Sequence, residues 1–138
     1  MEELLRDGDR TRLLIVEDDA DIRESLLLHL SGEGYDVTVA SSGNEAIPLT
    51  YGREFDLALL DLRMPYIDGF ELLKFIKGTF AKTRVIILTA YADLTNIQKC
   101  KNLGADEVTG KPYNLEYLFT IIREVLKKNS LALPETIS

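Results

Sequence analysis

The stretch Phe55-Asp56-Leu57-Ala58-Leu59-Leu60-Asp61-Leu62-Arg63-Met64-Pro65 is an apolar run that reaches one carboxylate and then breaks at a proline. A short apolar run bounded by such residues is typical of a strand buried on both faces, as in a parallel sheet. Asp61 would then lie at the carboxyl end of this strand. Because open α/β sheets bind ligands at that edge, Asp61 is the first candidate functional residue.

Length and composition indicate one globular domain. The chain has 138 residues, of which 46% are hydrophobic and 28% are charged, and this is enough to build a core. The formal net charge of −7 argues against a general nucleic-acid binder, which needs clustered lysine and arginine. A single cysteine, Cys100, excludes an intrachain disulfide and predicts a reducing compartment.

The sequence also predicts a cytoplasmic location and three segments. Residues 1–7 lack the basic and apolar regions of a signal peptide, and no apolar run approaches the length of a membrane span. We expect a flexible lead-in over residues 1–11, one domain over residues 12–128 and a flexible tail over residues 129–138.

Apolar patterns predict five strands, each followed by a helix. The first, second, fourth and fifth strands are predicted at 13–16, 35–40, 84–89 and 107–109, and the stretch quoted above supplies the third. The helices are predicted at about 21–31, 45–51, 70–77, 94–103 and 115–128. Short helical connections between strands favour parallel pairing with right-handed crossovers. The expected fold class is therefore α/β, a doubly wound parallel sheet with helices on both faces.

Details of three helices can also be predicted. Asp19 or Asp21 is suited to cap the first helix. Pro48 should bend or shorten the second. In the fourth, Leu94 and Ile97 should face inward, with Cys100 on the same side.

Polar side chains follow every predicted strand except the second. These side chains are Glu17, Asp18, Asp19, Asp61, Thr89 and Lys111. Since the carboxyl ends of parallel strands share one edge, the fold should bring these groups together. Crowded carboxylates repel one another, and a divalent cation relieves the repulsion. Oxygen ligands suit Mg²⁺, with Mn²⁺ as the alternative, better than Zn²⁺.

Such a site suits phosphoryl transfer. An aspartate such as Asp61 can act as the nucleophile and form an aspartyl phosphate. Lys111 would place a point charge beside one phosphoryl oxygen, and the Thr89 hydroxyl would donate a hydrogen bond to another. The cation, the lysine and the hydroxyl would together stabilise the charge of the transferring group.

Five motifs, in this order, make the chain resemble a receiver domain of a two-component response regulator, of the CheY-like superfamily. The motifs are Ile15-Val16-Glu17-Asp18-Asp19, Leu59-Leu60-Asp61-Leu62-Arg63-Met64-Pro65, Asp68-Gly69, Leu88-Thr89-Ala90, and Gly104-Ala105-Asp106 through Lys111-Pro112. The resemblance covers about residues 12–128. It implies a flavodoxin-like (βα)5 fold with strand order 2-1-3-4-5. It also implies that Asp61 accepts a phosphoryl group from the phosphohistidine of a histidine kinase or phosphotransfer protein.

The resemblance assigns further roles to the Mg²⁺ ligands. It implies that Asp18 and Asp61 bind Mg²⁺ directly, that Glu17 acts through water, and that the backbone carbonyl of Arg63 is another ligand. Asp19 matches a position that is not a ligand.

The resemblance also implies which residues respond to phosphorylation and which face contacts a downstream partner. Thr89 is the switch hydroxyl, Lys111 pairs with the phosphoryl group, and the Lys111-Pro112 peptide bond is cis. The readout face would comprise the fourth helix, the fifth strand and the fifth helix. The chain would be a regulatory domain that catalyses its own phosphorylation and dephosphorylation, and not an enzyme.

One position departs from the family pattern. Receiver domains commonly carry an aromatic residue three positions before the lysine, and that residue swings inward on phosphorylation. Val108 stands there in this chain and is too small for such a switch. We also hypothesise that Tyr91 or Arg63 controls the access of water to the phosphoryl group.

The alternatives concern both chemistry and output. A haloacid-dehalogenase-like phosphohydrolase would share the aspartyl phosphate, but its nucleophile follows the first strand in an Asp-x-Asp pattern. A flavin-binding electron carrier needs a Ser/Thr-rich phosphate loop, where this chain has three acids. Output would pass through protein contacts or through an output domain outside this chain, without direct binding of nucleic acid or membrane. A dimer formed on phosphorylation stays open.

Overall fold

The computed structural model describes residues 10–64 and 66–137, with side chains described to residue 128. Its strands are β1 (Arg12–Val16), β2 (Asp36–Ala40), β3 (Leu57–Leu60), β4 (Arg84–Thr89) and β5 (Glu107–Gly110). Its helices are α1 (Ala20–Gly32), α2 (Gly43–Gly52), α3 (Gly69–Thr79), α4 (Leu94–Asn102) and α5 (Leu115–Ile137). Most of the predicted lead-in, residues 1–9, lies outside the described residues.

The five strands form one parallel sheet in the order β2-β1-β3-β4-β5, which confirms the predicted fold class and strand order. Val16 of β1 pairs with Leu60 of β3, so β1 and β3 end side by side. Thr89 of β4 pairs with Gly110 of β5, so those strands also end side by side. The register therefore brings residues that follow four different strands to one edge.

Alternating side chains of the strands point to the two faces of the sheet and form an apolar layer on each face. Ala58 and Leu60 of β3 pack with residues of α2, α3 and α4, whereas Leu57 and Leu59 pack with residues of α1 and α5. Since both faces of the sheet are covered, the central strands carry continuous apolar runs. Leu26 and Leu30 of α1, four residues apart and therefore on one face of the helix, are buried.

Polar side chains cap four of the helices at their amino ends. Asp19 caps α1, which decides between Asp19 and Asp21, because its side chain accepts hydrogen bonds from Asp21 N and Ile22 N. Ser42, Asp68 and Asp93 cap α2, α3 and α4 in the same way. Three of these caps follow strands directly or after a short loop, so they fix where each helix leaves the functional edge.

The structure corrects two of the helix predictions. Leu94 is 80% exposed rather than inward-facing, because it is the first residue of α4 and only the later Cys100 is fully covered by the core. The last helix continues to Ile137 instead of ending at Lys128. Pro48 lies within α2, which runs from Gly43 to Gly52. Among the described residues, no helix combines the length and the apolar character needed to cross a bilayer.

Asp106 connects β4 to the start of β5 at the edge of the sheet opposite Asp61. Its carboxylate accepts a hydrogen bond from Val85 N at 2.8 Å and lies 3.3 Å from the guanidinium of Arg84 and 3.7 Å from the ammonium of Lys77. Its own N–H donates to Val85 O at 2.8 Å. Asp106 therefore fixes the start of β5 beside β4, which is a structural role for part of the Gly104-Ala105-Asp106 motif.

Gly69 brings α3 unusually close to the backbone that follows β3. A Cβ atom at residue 69 would clash with Asp61 O and would lie 2.5 Å from Leu62 Cα. Gly69 N donates to Leu62 O at 3.0 Å, which holds this approach. A side chain here would push α3 away from Asp61.

We expect Gly69→Ala to lower the free energy of unfolding by about 1–3 kcal/mol, the usual cost of overpacking. Gly78→Ala on the same helix is the matched control, because nothing lies within 4 Å of its added Cβ. Alanine is the better helix former, so this control should be neutral or stabilising by up to about 1 kcal/mol. Urea denaturation of both variants measures the difference, and equal midpoints would contradict the role of Gly69.

Candidate functional site

Three carboxylates meet at the carboxyl edge of the sheet. Glu17 and Asp18 follow β1, Asp61 follows β3, and one oxygen of each lies within 4.8 Å of the others. Glu17 is 2% exposed and Asp61 is 6% exposed, whereas Asp18 faces solvent. The cluster therefore has a buried base and an open side. Asp19, which directly follows, serves as the cap of α1.

Lys111 supplies the positive charge of this site. Its Nζ donates to Glu17 Oε1 at 2.7 Å and to Asp61 Oδ2 at 3.1 Å. Its backbone N donates to Thr89 O at 2.9 Å, and the Lys111-Pro112 peptide bond is cis as predicted. The side chain thus reaches from the end of β5 across to residues that follow β1 and β3.

Burial and hydrogen bonding have opposite effects on the pKa values of Glu17 and Lys111. Burial raises the pKa of Glu17, and the hydrogen bond from Lys111 offsets that effect only in part. Burial lowers the pKa of Lys111, but its hydrogen bonds to Glu17 and Asp61 outweigh this and leave the pKa above its ordinary value. Lys111 therefore stays an ammonium ion. One ammonium facing three carboxylates leaves an excess of negative charge when all are ionised.

Backbone N–H groups orient two of the carboxylates. Asp19 N donates to Glu17 Oε2 at 3.1 Å, and Arg63 N donates to Asp61 Oδ1 at 3.3 Å. Asp61 N donates to Val16 O at 3.2 Å, which ties the nucleophile candidate to the end of β1. Each carboxylate is thus held from two sides, by Lys111 and by a backbone N–H.

Thr89 lies beside the site, and its hydroxyl has a partner of its own. The side chain is fully buried, and Oγ1 accepts a hydrogen bond from Tyr91 N at 3.1 Å. Among the hydrogen bonds of the described residues, none joins Thr89 to Asp61. The structure therefore brings Thr89 next to Lys111 through the backbone without placing its hydroxyl on the carboxylate cluster.

Arg63, two residues after Asp61, contacts Tyr91, two residues after Thr89. The guanidinium carbon of Arg63 lies 4.5 Å from the centroid of the Tyr91 ring, which is a cation–π contact. Tyr91 is half exposed, and its carbonyl accepts a hydrogen bond from Asn96 Nδ2 at 2.8 Å. Val108 lies away from this pair, half-buried against the layer formed with α2, α3 and α4.

Sequence reasoning missed Arg23. Its guanidinium Nη1 donates to Glu17 O at 2.9 Å and lies 3.4 Å from Asp18 O. The available signal was its place near the start of α1. Helical side chains lean toward the amino end of their helix, so an arginine there reaches the preceding loop.

The carboxylate cluster fits a divalent cation of the Mg²⁺ type. Its candidate ligand atoms are all oxygens, and they come from two adjoining strand ends. The site has an open side through Asp18, so a cation would keep waters or accept phosphoryl oxygens. The excess negative charge makes cation binding favourable.

The fold and this edge define a doubly wound α/β domain with an acidic cation site. The profile of the response regulator receiver domain family matches residues 13–123. Response regulator MprA of Mycobacterium sp. (strain KMS) is 35% identical over 119 residues, which cover 86% of this chain and 52% of MprA.

Solved structures of response regulators are also similar to this chain. A CheY-like response regulator receiver domain protein from Methanospirillum hungatei JF-1 is 34% identical, with a TM-score of 0.85, covering 88% of this chain and 98% of that one. Response regulator TrrA of Thermotoga maritima, solved in complex with Mg²⁺-BeF, is 32% identical with a TM-score of 0.76, covering 83% of this chain and 98% of that one.

This chain therefore belongs to the response regulator receiver domain family, the signalling domains of two-component systems. It spans about half the length of the curated relatives it matches. The phosphohydrolase alternative finds no support, because the matched family is a signalling family.

Asp18→Asn should separate cation binding from folding. In the wild type, Mg²⁺ at about 100 times its dissociation constant should add about 2.7 kcal/mol to the free energy of unfolding. We expect the variant to lose most of this gain. In EDTA it should unfold at the same temperature as the wild type or higher, because one repelling carboxylate is gone.

The control is Glu24→Gln, which removes an exposed charge of α1 outside the cluster. It should keep the full Mg²⁺-dependent gain. Thermal unfolding with Mg²⁺ and with EDTA measures all three proteins. An undiminished Mg²⁺ effect in Asp18→Asn would exclude this residue as a ligand.

Proposed function

We propose that this domain is a phosphorylation-dependent switch in which Asp61 accepts a phosphoryl group from the phosphohistidine of a histidine kinase or phosphotransfer protein. The observation that carries the proposal is the Lys111 ammonium, which contacts Asp61 and Glu17 within a cluster of three carboxylates. A structural ion pair needs one carboxylate. Two carboxylates on one lysine, with the carboxylate of Asp18 in the same cluster, suit a site that binds a cation and a phosphoryl group together.

The transfer step follows from the position of Asp61. A carboxylate oxygen attacks the phosphorus atom and forms an acyl phosphate bond, while the phosphorus–nitrogen bond of phosphohistidine breaks. The histidine nitrogen keeps that electron pair. Arg63 N and Lys111 already hold the two oxygens of Asp61, so little reorientation is needed. In dephosphorylation, water attacks the same phosphorus atom and Asp61 leaves as a carboxylate.

Lys111 and Thr89 would stabilise the transferred group. After transfer, Lys111 would exchange its bond to Asp61 for a phosphoryl oxygen, to which it offers a point charge. The Thr89 hydroxyl would turn to donate to another oxygen. Glu17 keeps Lys111 in place meanwhile, since its 2.7 Å bond does not involve Asp61.

We assign Mg²⁺ to the carboxylate cluster, with Mn²⁺ as a substitute. Asp18 and Asp61 would bind the ion directly, Glu17 would act through water, and the backbone carbonyl of Arg63 would complete the protein ligands. When bound, the ion neutralises charge on the phosphoryl oxygens. The excess of carboxylates over Lys111 supports this assignment.

Output would use the face formed by α4, β5 and α5, or an output domain outside this chain. Leu94 at the start of α4 is exposed, so it would be accessible to a partner that binds this face. Val108, on β5, is too small to serve as the aromatic switch of other receivers. The cytoplasmic location rests on the single cysteine, and dimer formation on phosphorylation stays a prediction.

Asp61→Asn tests the proposal directly. With acetyl phosphate and Mg²⁺, the wild type should gain one phosphoryl group and the variant none, because an amide cannot form the acyl phosphate. Intact-mass spectrometry measures the gain. Asp68→Asn is the control, since asparagine also caps α3 and the residue lies outside the cluster. Equal labelling of wild type and Asp61→Asn would refute the acceptor role.

Arg63 and Tyr91 should set the lifetime of the phosphoryl group. Arg63 follows Asp61 by two residues and Tyr91 follows Thr89 by two residues, so we expect their contact to shield the phosphoryl group. Arg63→Ala or Tyr91→Ala should therefore admit water and speed dephosphorylation. A cation–π contact of about 0.5–1 kcal/mol corresponds to roughly a two- to fivefold faster rate. The double variant should be little faster than either single one, because both remove one contact.

The matched control for this pair is Tyr117→Ala, an exposed tyrosine on α5. Phosphoryl loss is timed by mass spectrometry after removal of the donor. Unchanged rates in both single variants would end the hypothesis.

A further inference from the structure

The guanidinium of Arg23 contacts the loop that carries Glu17 and Asp18. Within the described part of the chain, it is the only donor recorded on Glu17 O, at 2.9 Å, and on Asp18 O, at 3.4 Å. Both bonds come from Nη1, so one nitrogen bridges two consecutive carbonyls. The two residues whose backbone it holds are the two whose carboxylates belong to the acidic cluster.

The geometry points to Arg23 as a positioning residue for the cation site, and we propose that it sets the affinity for Mg²⁺ by fixing the β1–α1 loop. This inference rests on the proposed function for the identity of the ion. Arg23 would not touch the ion itself, since its contacts are with carbonyl oxygens. It would act through the directions in which the Glu17 and Asp18 side chains leave the backbone.

The other restraints on this loop act on its N–H groups and on side chains, including the 2.7 Å hydrogen bond from Lys111 Nζ to the Glu17 carboxylate and the cap that Asp19 forms on α1. Glu17 N donates to Ala40 O at 3.1 Å, which ties the loop to the end of β2, and Asp19 N donates to the Glu17 carboxylate. These bonds hold N–H groups and one side chain, but not the carbonyl side of the loop. Arg23 restrains that side. Its own backbone is fixed because Arg23 N donates to Asp19 O at 2.9 Å in the first turn of α1.

Arg23 also carries its charge toward α2. Hydrogen bonds from Ser41 N and Ser41 Oγ lower the pKa of Glu45 most, and the Arg23 charge lowers it further. Glu45 Oε1 accepts those bonds at 2.7 and 3.0 Å, so its carboxylate is fixed near the β2–α2 loop. The Arg23 charge therefore acts on Glu45 as well as on the loop after β1.

Two effects of the Arg23 charge oppose each other. As a cation near the cluster, it repels Mg²⁺, so its removal would tighten binding. As a restraint on the loop, it preorganises the ligands, so its removal would weaken binding. We expect the restraint to dominate, because the guanidinium charge is already engaged by carbonyl oxygens and screened by solvent. Residues that orient metal ligands typically change metal affinity by about 10–100-fold.

The test measures Mg²⁺ binding by isothermal titration calorimetry, which needs no phosphoryl transfer. Arg23→Met should weaken Mg²⁺ binding by about tenfold or more. Arg23→Lys keeps the charge, but its ammonium nitrogen lies one bond closer to the backbone than Arg23 Nη1 and should not reach both carbonyls, so it should also weaken binding. Arg123→Met is the matched control, because it removes an arginine charge that pairs with Glu33 at the far end of α1. It should leave the affinity within about twofold of the wild type, since distant sites act independently.

A second measurement excludes a purely structural effect. Phosphorylation by acetyl phosphate at saturating Mg²⁺ should recover to near the wild-type rate in Arg23→Met, while half-saturation moves to about tenfold higher Mg²⁺. A merely structural role would instead lower the unfolding temperature in EDTA with unchanged Mg²⁺ affinity, and this result would overturn the proposal. Tighter binding in Arg23→Met would overturn it too.

The outcome for Arg23 can be separated from the outcome for Asp61. Weaker Mg²⁺ binding in both Arg23 variants, with no phosphorylation of the wild type, would support the inference while the phospho-acceptor role failed. Normal phosphorylation with unchanged Mg²⁺ dependence in both variants would overturn the inference alone. A wild type that binds no Mg²⁺ would overturn both. If Arg23→Met does not fold, Arg23→Lys decides.

Discussion

The ammonium group of Lys111 is the charge on which the carboxyl edge of the sheet depends. It contacts residues that follow β1 and β3 while its backbone is bonded to the end of β4. Without it, Glu17 and Asp61 would be buried carboxylates with no cation beside them, and removing one partner of a buried ion pair is strongly destabilising. The same group therefore maintains the apo structure and would be available to a phosphoryl group. Under the proposed function, stability and phosphoryl binding would compete for this one side chain.

The geometry around Asp61 shows a related compromise. Gly69 lets α3 approach the carbonyl of Asp61 closely, and Arg63 N turns back onto the Asp61 carboxylate. This close packing fixes the carboxylate while leaving Asp18 open to solvent. A more stable edge would replace the acidic cluster with apolar residues, but it would lose its cation site. The carboxylates are tolerated because Lys111 and backbone N–H groups satisfy them.

Much of this could be predicted because the strands follow simple rules. The apolar run of β3 predicts a strand that is buried on both faces. The polar residue at the end of the run, Asp61, predicts that the functional edge lies at the carboxyl end of that strand. The same argument predicts that Glu17, Asp18 and Lys111 lie near Asp61, since the carboxyl ends of parallel strands share one edge. Family resemblance was needed for the cis bond at Pro112, which no pattern of apolar residues reports.

The unpredicted features depend on contacts between side chains and backbone. Leu94 has the right spacing to face inward, yet its place at the first position of α4 leaves it outside the core. The contact of Arg23 with two carbonyls leaves no hydrophobic pattern in the sequence. Likewise, the sequence shows a hydroxyl at Thr89 but not that it already accepts a bond from Tyr91 N. The periodicity of apolar residues predicts which side chains are buried, whereas these features depend on individual hydrogen bonds and on where a helix begins.

The bond between Thr89 and Tyr91 bears on how a switch works with valine at position 108. If the Thr89 hydroxyl turns to donate to a phosphoryl oxygen, it either keeps its bond with Tyr91 N and draws that N–H along, or it releases the N–H. In either case the restraint on Tyr91 changes, and Tyr91 is itself bonded through its carbonyl to Asn96 of α4 and through its ring to Arg63. Under the proposed function, these contacts would connect the phosphorylation site to α4 through a loop backbone, without an aromatic side chain on β5.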